Sequence, residues 1–262
     1  MNILTFDTAT EACSVALQCG DAVYYRHEIA PQQHAKILLP MIQALITEAN
    51  IKLSDLDAIG FGCGPGSFMG VRLATGMAQG LGFGLQIPLI PISTLQTIAQ
   101  SALTARLSQA ISHGQLVATA PLSQVTLHDP LAAMEARAPA SAQQTTILAG
   151  WDARMNEIYW GFYQSDENNL MQPKINDQLS APEAVDTSFV HTIGSLAGNA
   201  WKAYQARLPS AFSTIPSFTD IYPEARAMLT IAISKYVSGE AVAAEHAHPH
   251  YVRHHVVHTT TK

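Results

Sequence analysis

Two acidic residues stand in matching surroundings. Asp7 lies near the end of the apolar run Asn2 to Thr8, and Asp152 follows the run Thr146 to Trp151. Each is followed by a short turn and a second apolar run, so the pattern strand, acidic turn, strand occurs twice. Paired carboxylates offered from two such loops are the first candidates for chemistry. Thr8 and Thr10 stand beside the first, and Arg154 beside the second. A third candidate is the turn Gly62 to Gly66, which opens a helix at Ser67, because a glycine-rich helix start can hold anions on its free N–H groups. Its details oppose that chemistry. A Walker loop needs Lys and then Ser or Thr after the last glycine, whereas Gly66 is followed by Ser67 and Phe68. A nucleophile elbow needs a residue between glycine and serine. The turn is therefore read as structural. Six of the eleven histidines fall between His246 and His258, several four apart. Pro249 interrupts any helix there, and no Cys or acidic cluster completes a metal site, so no metal is assigned. The expectation is a solvated tail whose Tyr251-Val252-Arg253 packs back on the body. No Ser/His/Asp or Cys/His set is defensible, and no catalytic residue is assigned.

The elements that must position these residues follow from periodicity. Asn2 to Thr8, Cys13 to Cys19 and Ala22 to Ile29 read as an antiparallel meander. A first helix spans about Gln33 to Asn50 with Pro40 inside it, which predicts a kink. Its apolar residues Leu38, Ile42, Leu45 and Ala49 form one stripe, widened by Ile37, Met41 and Ile46, so it reads as covered on two sides. A strand from Ala58 to Phe61 leads through the glycine turn into a second helix, capped by Ser67. On that helix Val71, Ala74, Ala78, Leu81 and Leu85 make an apolar stripe, while Gly76, Gly80 and Gly84 make another. Three helical glycines oppose the helix by roughly 3 kcal/mol, so something packed on that face must compensate. It is either the helix's own sheet or a second chain, and a joint oligomerisation face on both helices is the economical explanation. Beyond a helix from Thr94 to about Leu103 the pattern dissolves until Thr146. The division is an N-terminal lobe at 1–103, a partly disordered insertion at 104–145 with a short helix at Leu131 to Ala138, and a C-terminal lobe with a His-rich tail at 146–262. That last lobe is expected to hold a strand from Val190 to Gly194, a helix from Ser195 to Gln205 and an amphipathic helix from Pro223 to Gly239.

Composition narrows the class. The chain has 262 residues, 48% of them hydrophobic and 13% charged, which is enough to bury a sizeable core. Its net charge is −6, with Lys and Arg scattered singly, so alone it should bind nucleic acid poorly. Cys13, Cys19 and Cys63 show no CxxC spacing and suit buried thiols in a reducing compartment. The N-terminus lacks a basic leader, and the apolar run Leu81 to Ile92 is broken by Gln86, Pro88 and Pro91, so the expectation is a cytoplasmic protein without a membrane partner.

The strand order and acidic loop resemble the actin-like phosphotransferases, whose first loop reads Asp-x-Gly-Thr. Here it reads Asp7-Thr8-Ala9-Thr10, and the second loop carries Ala153 and Arg154 where a working kinase has glycine, so both phosphate loops are degenerate. A closer resemblance rests on Asp7 to Leu17, His34 with Leu38-Leu39-Pro40, Gly64-Pro65-Gly66-Ser67-Phe68, Gly70-Val71-Arg72, Ser93-Thr94-Leu95, Asp152 to Met155 and Tyr251-Val252-Arg253. Together these resemble the bacterial TsaB family, also called YeaZ. Met69 and Ala35 depart from that pattern, as does the long insertion. The resemblance implies an α/β, two-lobed actin-like/Hsp70-like fold of ribonuclease H-like lobes. It implies a non-catalytic subunit in the formation of threonylcarbamoyladenosine in tRNAs that read ANN codons. The implied partners are a TsaD-like catalytic paralogue, a TsaE-like ATPase and a second copy of the chain, with tRNA met only through the complex. TsaD-like chains carry a His-x-x-x-His metal pair after the glycine helix, and Ser93 to Ala102 holds no histidine. The implied partner face takes His34, Leu38, Met41, Ile42 and Leu45 from the first helix. From the second it takes Met69, Arg72, Leu73, Gly76, Met77 and Gly80. His34 is readable as an interface hydrogen bonder, a metal ligand or a surface histidine, and Arg72 as an anion holder or half of a structural salt bridge. No cofactor is assigned to the chain itself, with room left for ATP or ADP and magnesium at an interface with the partner subunit. The rival reading, which the actin-like resemblance implies, is an ATPase or small-molecule kinase that uses Asp7 and Asp152 around magnesium.

Overall fold

The computed structural model describes residues 1–112 and 144–253. Strands β1 (Asn2–Asp7), β2 (Ala12–Cys19) and β3 (Ala22–Ile29) form the meander, followed by helix α1 (His34–Glu48). Then come β4 (Ala58–Gly64), α2 (Phe68–Leu85), β5 (Leu89–Ser93) and α3 (Thr94–Ser112). The second half gives β6 (Thr146–Asp152), β7 (Ile158–Ser165), β8 (Met171–Ser180), β9 (Ser195–Ala197), α4 (Ala200–Ala203), β10 (Ser217–Phe218) and α5 (Ala225–Val237). The first sheet has the order β3-β2-β1-β4-β5 and the second β10-β9-β6-β7-β8. In each, three antiparallel strands are extended by two parallel ones, and β1 corresponds to β6. The repeated strand-turn-strand is thus the start of two ribonuclease H-like lobes.

The lobes exchange helices. One face of the first sheet is covered by α1 and α2, where Leu38, Ile42, Leu45, Ala74 and Ala78 meet Leu4, Phe6, Val15, Ile59 and Phe61. Its other face is covered by α5, whose Met228, Leu229, Ile231 and Ala232 cluster with Ile3, Ala16, Ala58, Ile90 and Ile92. Helix α3 joins the second sheet, with Leu95, Ile98, Ala99 and Ala102 against Ile147, Ala149 and Tyr163. Those packings correct the expected division. A boundary at residue 103 cuts α3 in its middle, and the segment from Ala225 onward completes the first lobe although it follows the second in sequence. Of the proposed insertion, residues 104–112 continue α3, while the helix expected at Leu131 to Ala138 lies outside the described residues.

Two further expectations shift. The strand placed at Val190 to Gly194 is instead Ser195–Ala197, and only Ala200–Ala203 of the following stretch forms an α-helix. Strand β8 was not anticipated, because MQPKINDQLS is polar and contains Pro173; it is an edge strand, where such residues are tolerated. Within the single chain one side of helix α1 is covered; on the other, Leu39 is 38% exposed, and Ala35, Pro40 and Ala44 also face outward.

Candidate functional site

A cleft of about 1100 Å³ opens between the lobes. Its walls are the first acidic loop (Ala9 to Glu11), the start of α1 at His34, the turn and first residues of α2, the loop Trp151 to Met155, and the tail from His250 to Arg253. Of the two carboxylates matched in sequence, only Asp152 lines it.

Asp7 is fully buried. Its Oδ1 accepts from the Ala9 N–H at 2.7 Å, and its Oδ2 accepts from the Thr94 hydroxyl at 3.0 Å. Burial pushes its pKa up to about 6, against the smaller opposing effect of those two bonds. The loop is closed from above by the glycine turn. The Ser67 N–H donates to the Ala9 carbonyl at 2.7 Å, and the Thr8 hydroxyl donates to the Gly70 carbonyl at 2.7 Å. A Cβ at Gly66 would run into the Ala9 carbonyl oxygen, and one at Gly70 into that of Thr8. Glycine is required here for close approach of two backbones, which agrees with the structural reading of the turn. Ser67 caps α2 as expected, its Oγ accepting from Gly70 N at 3.4 Å. Thr10 does reach the cleft, and its hydroxyl accepts from Ala12 N at 3.2 Å.

The second loop is occupied by its own side chains. Arg154 donates to Asp152 Oδ2 at 3.0 Å and across the cleft to Glu11 Oε1 at 2.9 Å. Asp152 Oδ1 also accepts from the Arg154 N–H and from the Tyr204 hydroxyl, both at 2.8 Å. Arg154, Met155 and Asn156 all adopt left-handed backbone, with φ of 60°, 55° and 63°. That costs roughly 1–2 kcal/mol per residue. The hydrogen bonds of the turn, Ala153 N to Glu157 O at 3.0 Å and Glu157 N to Arg154 O at 3.1 Å, offset part of it. These donors do not fit a magnesium ion bridged by Asp7 and Asp152: one carboxylate is sealed from the cleft and the other is taken by Arg154 and Tyr204. The kinase or ATPase reading loses its two proposed ligands. Among the described residues no group of three or more His, Cys, Asp or Glu side chains is placed to hold a metal.

The tail straps both lobes, as the packing of Tyr251-Val252-Arg253 requires. The His250 N–H donates to the Cys63 carbonyl at 2.7 Å. Arg72 Nε donates to the Tyr251 hydroxyl at 2.9 Å, and Arg253 pairs with Glu157 at 2.5 Å. The histidines from residue 254 onward lie outside the described residues. His34, the first residue of α1, lines the cleft, and its Nε2 is buried without a hydrogen-bond partner.

The expected partner face divides. Leu38, Ile42 and Leu45 are fully buried in the first lobe's own core, so they cannot touch another chain. Met41, Leu73 and Met77 are half-buried against that core. Met69 is 71% exposed, and Arg72, Gly76 and Gly80 are exposed, with open space where a Cβ would stand at Gly76, Gly80 and Gly84. Phe68 and Phe83, not assigned from sequence, are 47% and 78% exposed on the same helix. A signal for them existed. Met69, Arg72, Gly76, Gly80 and Phe83 follow one another by three, four, four and three, which is a helix stripe. Arg72 forms no structural salt bridge among the described residues. Its guanidinium carbon lies 3.7 Å above the Phe68 ring.

Comparison with known proteins decides the family. A family model described as TsaD, tRNA N6-adenosine threonylcarbamoyltransferase, matches residues 26–120. Over 258 residues the chain is 35% identical to the tRNA threonylcarbamoyladenosine biosynthesis protein TsaB of Escherichia coli (strain K12), covering 98% of this chain and 96% of that protein. The chain belongs to the TsaB family. TsaB of Haemophilus influenzae is 31% identical over 264 residues, with 98% and 95% covered. The solved structure of YeaZ from Pseudomonas aeruginosa superposes with a TM-score of 0.75 at 33% identity, over 95% of this chain and 99% of that one. The fold is the two-lobed actin-like one that the TsaB resemblance implies. Among the described residues no helix is long and apolar enough to cross a membrane.

Proposed function

We propose that this chain is a non-catalytic subunit in the formation of threonylcarbamoyladenosine in tRNAs reading ANN codons. It pairs through α2 and the outer side of α1, with itself or with a TsaD-like catalytic paralogue, and a TsaE-like ATPase joins the pair. The observation that carries the reading is the face of α2. A surface helix normally turns charged residues to solvent, but FMGVRLATGMAQGLGFGL holds one charge in eighteen residues and leaves Met69, Gly76, Gly80 and Phe83 uncovered. The names of the relatives support the process, and the closed first loop supports a structural role. In this reading tRNA, which the lone chain binds only weakly at a net charge of −6, is met through the complex, in the cytoplasm. No cofactor belongs to the chain itself; ATP or ADP with magnesium has room at the interface with the partner subunit.

The test is Gly80→Leu. Its side chain enters open space in the isolated chain, so circular dichroism should be unchanged. Light scattering, with and without the TsaD-like chain from the same cells, should show both assemblies lost. A folded variant that still forms both places the contact elsewhere.

A further inference from the structure

Strand β3 stands at the end of the first sheet, paired with β2 on one edge and with no strand on the other among the described residues. The turn before it fixes which backbone groups point to that open edge. Gly20, with φ of 58°, and Asp21 link a hairpin whose closing pair is Cys19 and Ala22. A closing pair of a two-residue link exchanges both hydrogen bonds, and alternation then gives the even-numbered residues of β3 to β2. Two observations agree. Ala30 N donates to the Glu11 carbonyl at 3.0 Å, which continues the even set, and the carbonyl of odd-numbered Tyr25 takes a side-chain donor, Arg26 Nη1 at 2.9 Å. Val23, Tyr25, His27 and Ile29 therefore turn their N–H and C=O groups to the open edge, and Tyr25 to Ile29 are all exposed.

Such an edge is a template for another strand, and charges along it normally discourage pairing. Here the charges select a register. When a second copy presents the same edge across a two-fold axis, odd residues must face odd residues. An axis at Arg26 or at Glu28 sets like charges opposite each other, and one at Tyr25 leaves both charges without a counter-charge. An axis at His27 sets Arg26 against Glu28 of the other copy, twice, and Tyr25 against Ile29, twice. Arg26 and Glu28 then fall at the positions without ladder hydrogen bonds, where facing side chains come closest. Tyr25 and Ile29, 39% and 49% exposed, cover each other. Arg26 already donates to Glu48 at 2.5 Å, but a guanidinium has five N–H donors and serves two carboxylates, and the Tyr25 carbonyl keeps a second lone pair for the ladder.

We infer that β3 is a self-association edge, at which two copies join their five-stranded first sheets into one continuous sheet with its axis at His27. Helix α2 packs over β4, three strands away from this edge, so the contact is separate from the α2 face and leaves it open on both copies.

The test places single cysteines in the full chain and treats each variant with a mild oxidant. His27→Cys should give a disulfide-linked dimer on a non-reducing gel, because the two copies of residue 27 face each other with Cα atoms about 5.5 Å apart, within disulfide reach. Tyr25→Cys, exposed on the same strand, should give roughly tenfold less, since its two copies stand about 14 Å apart along the strands. Sedimentation velocity supplies the second arm. Arg26→Glu alone and Glu28→Lys alone each set like charges across the axis and should self-associate roughly 10-fold more weakly than the parent. An equimolar mixture of the two restores opposite charges at both contacts and should associate as the parent does. The α2 face is unaltered in all of them, so the differences belong to β3. If His27→Cys links no more than Tyr25→Cys, or the mixture associates no better than either variant alone, the inference is overturned, and the edge is left unpaired or open to an extended segment of a different chain.

Discussion

Asp7 keeps its carboxyl group out of solvent, bonded to the Ala9 N–H and the Thr94 hydroxyl. A carboxyl held at about 6 in the folded chain and near 4 in the unfolded chain binds its proton more tightly when folded. Its contribution to stability is therefore present below about pH 4 and lost as pH rises through about 6. Two pH units correspond to about 3 kcal/mol, an upper figure for the cost of the buried charge at neutral pH. Asp7→Asn removes that charge and keeps the shape, since its amide oxygen can accept from Ala9 and its NH₂ can face the Thr94 oxygen. Urea unfolding should show the variant more stable at pH 7.5 by up to about 3 kcal/mol and little changed near pH 4. A loss of stability at pH 7.5 would mean that the carboxylate is needed as an acceptor. The sequence placed Asp7 correctly at the end of β1 but could not show its environment, because Gly62, which lies against its carboxyl group, and Gly66 and Gly70, which lie against Ala9 and Thr8, come from some sixty residues away. Arg154 is similar: its type ruled out a phosphate loop, but its reach to Glu11 depends on the lobes meeting.

Helix α2 carries glycines of two kinds, and they should respond to the same substitution with opposite sign. At Gly70 an added methyl meets the Thr8 carbonyl, a backbone atom held by the Thr8–Gly70 and Ser67–Ala9 hydrogen bonds, so it cannot move aside cheaply. Gly70→Ala should destabilise the chain by several kcal/mol, in the range of strained, overpacked sites. At Gly80 the methyl meets nothing, and alanine favours a helix by about 1 kcal/mol over glycine, so Gly80→Ala should raise the stability of the monomer. Chemical denaturation of the two variants side by side checks both, and a Gly80→Ala that destabilises the monomer would mean that the face is covered within the chain. The glycine row was legible from its spacing because an exposed helix shows its period. Helix α3 was not. Thr94, Gln96, Thr97, Gln100, Ser101 and Thr104 are buried along with its leucines, so polar and apolar residues alternate without a face. Two of those polar groups bind the start of β8, Gln96 donating to the Met171 carbonyl at 2.7 Å and Gln100 accepting from Met171 N at 2.9 Å, while Thr97, Ser101 and Thr104 donate to carbonyls one turn back. From Thr94 to Thr104 the helix is buried all round and shows no amphipathic period to extend into the half-buried and exposed residues 105–109, so its end was placed nine residues early.

At the scale of the whole molecule the sequence order and the order of packing diverge. Reading along the chain predicts two consecutive lobes, and the repeated strand-turn-strand supports it, but the face of the first sheet left by α1 and α2 is covered by α5 from the far end. Without α5 the side chains of Ile3, Ala58, Ile90 and Ile92, all essentially buried, would meet water. Its own Met228, Leu229 and Ile231 would lose their cover too, at roughly 1.5–3 kcal/mol each. Polar bonds disappear with them: the Thr5 hydroxyl donates to the Ala225 carbonyl at 2.7 Å, and Ala225 N donates to the Ser14 hydroxyl at 2.8 Å. A whole domain has a net stability of only about 5–15 kcal/mol, so these losses are of the same size as the total. The expected outcome is that a fragment of residues 1–112 does not fold alone, and that adding a separately made fragment of residues 144–262 restores a single cooperative transition. Thermal unfolding followed by circular dichroism reads it directly. If residues 1–112 unfold cooperatively by themselves with the helix and strand content of the first lobe, the lobe is autonomous, and α5 is an accessory to it rather than part of its core.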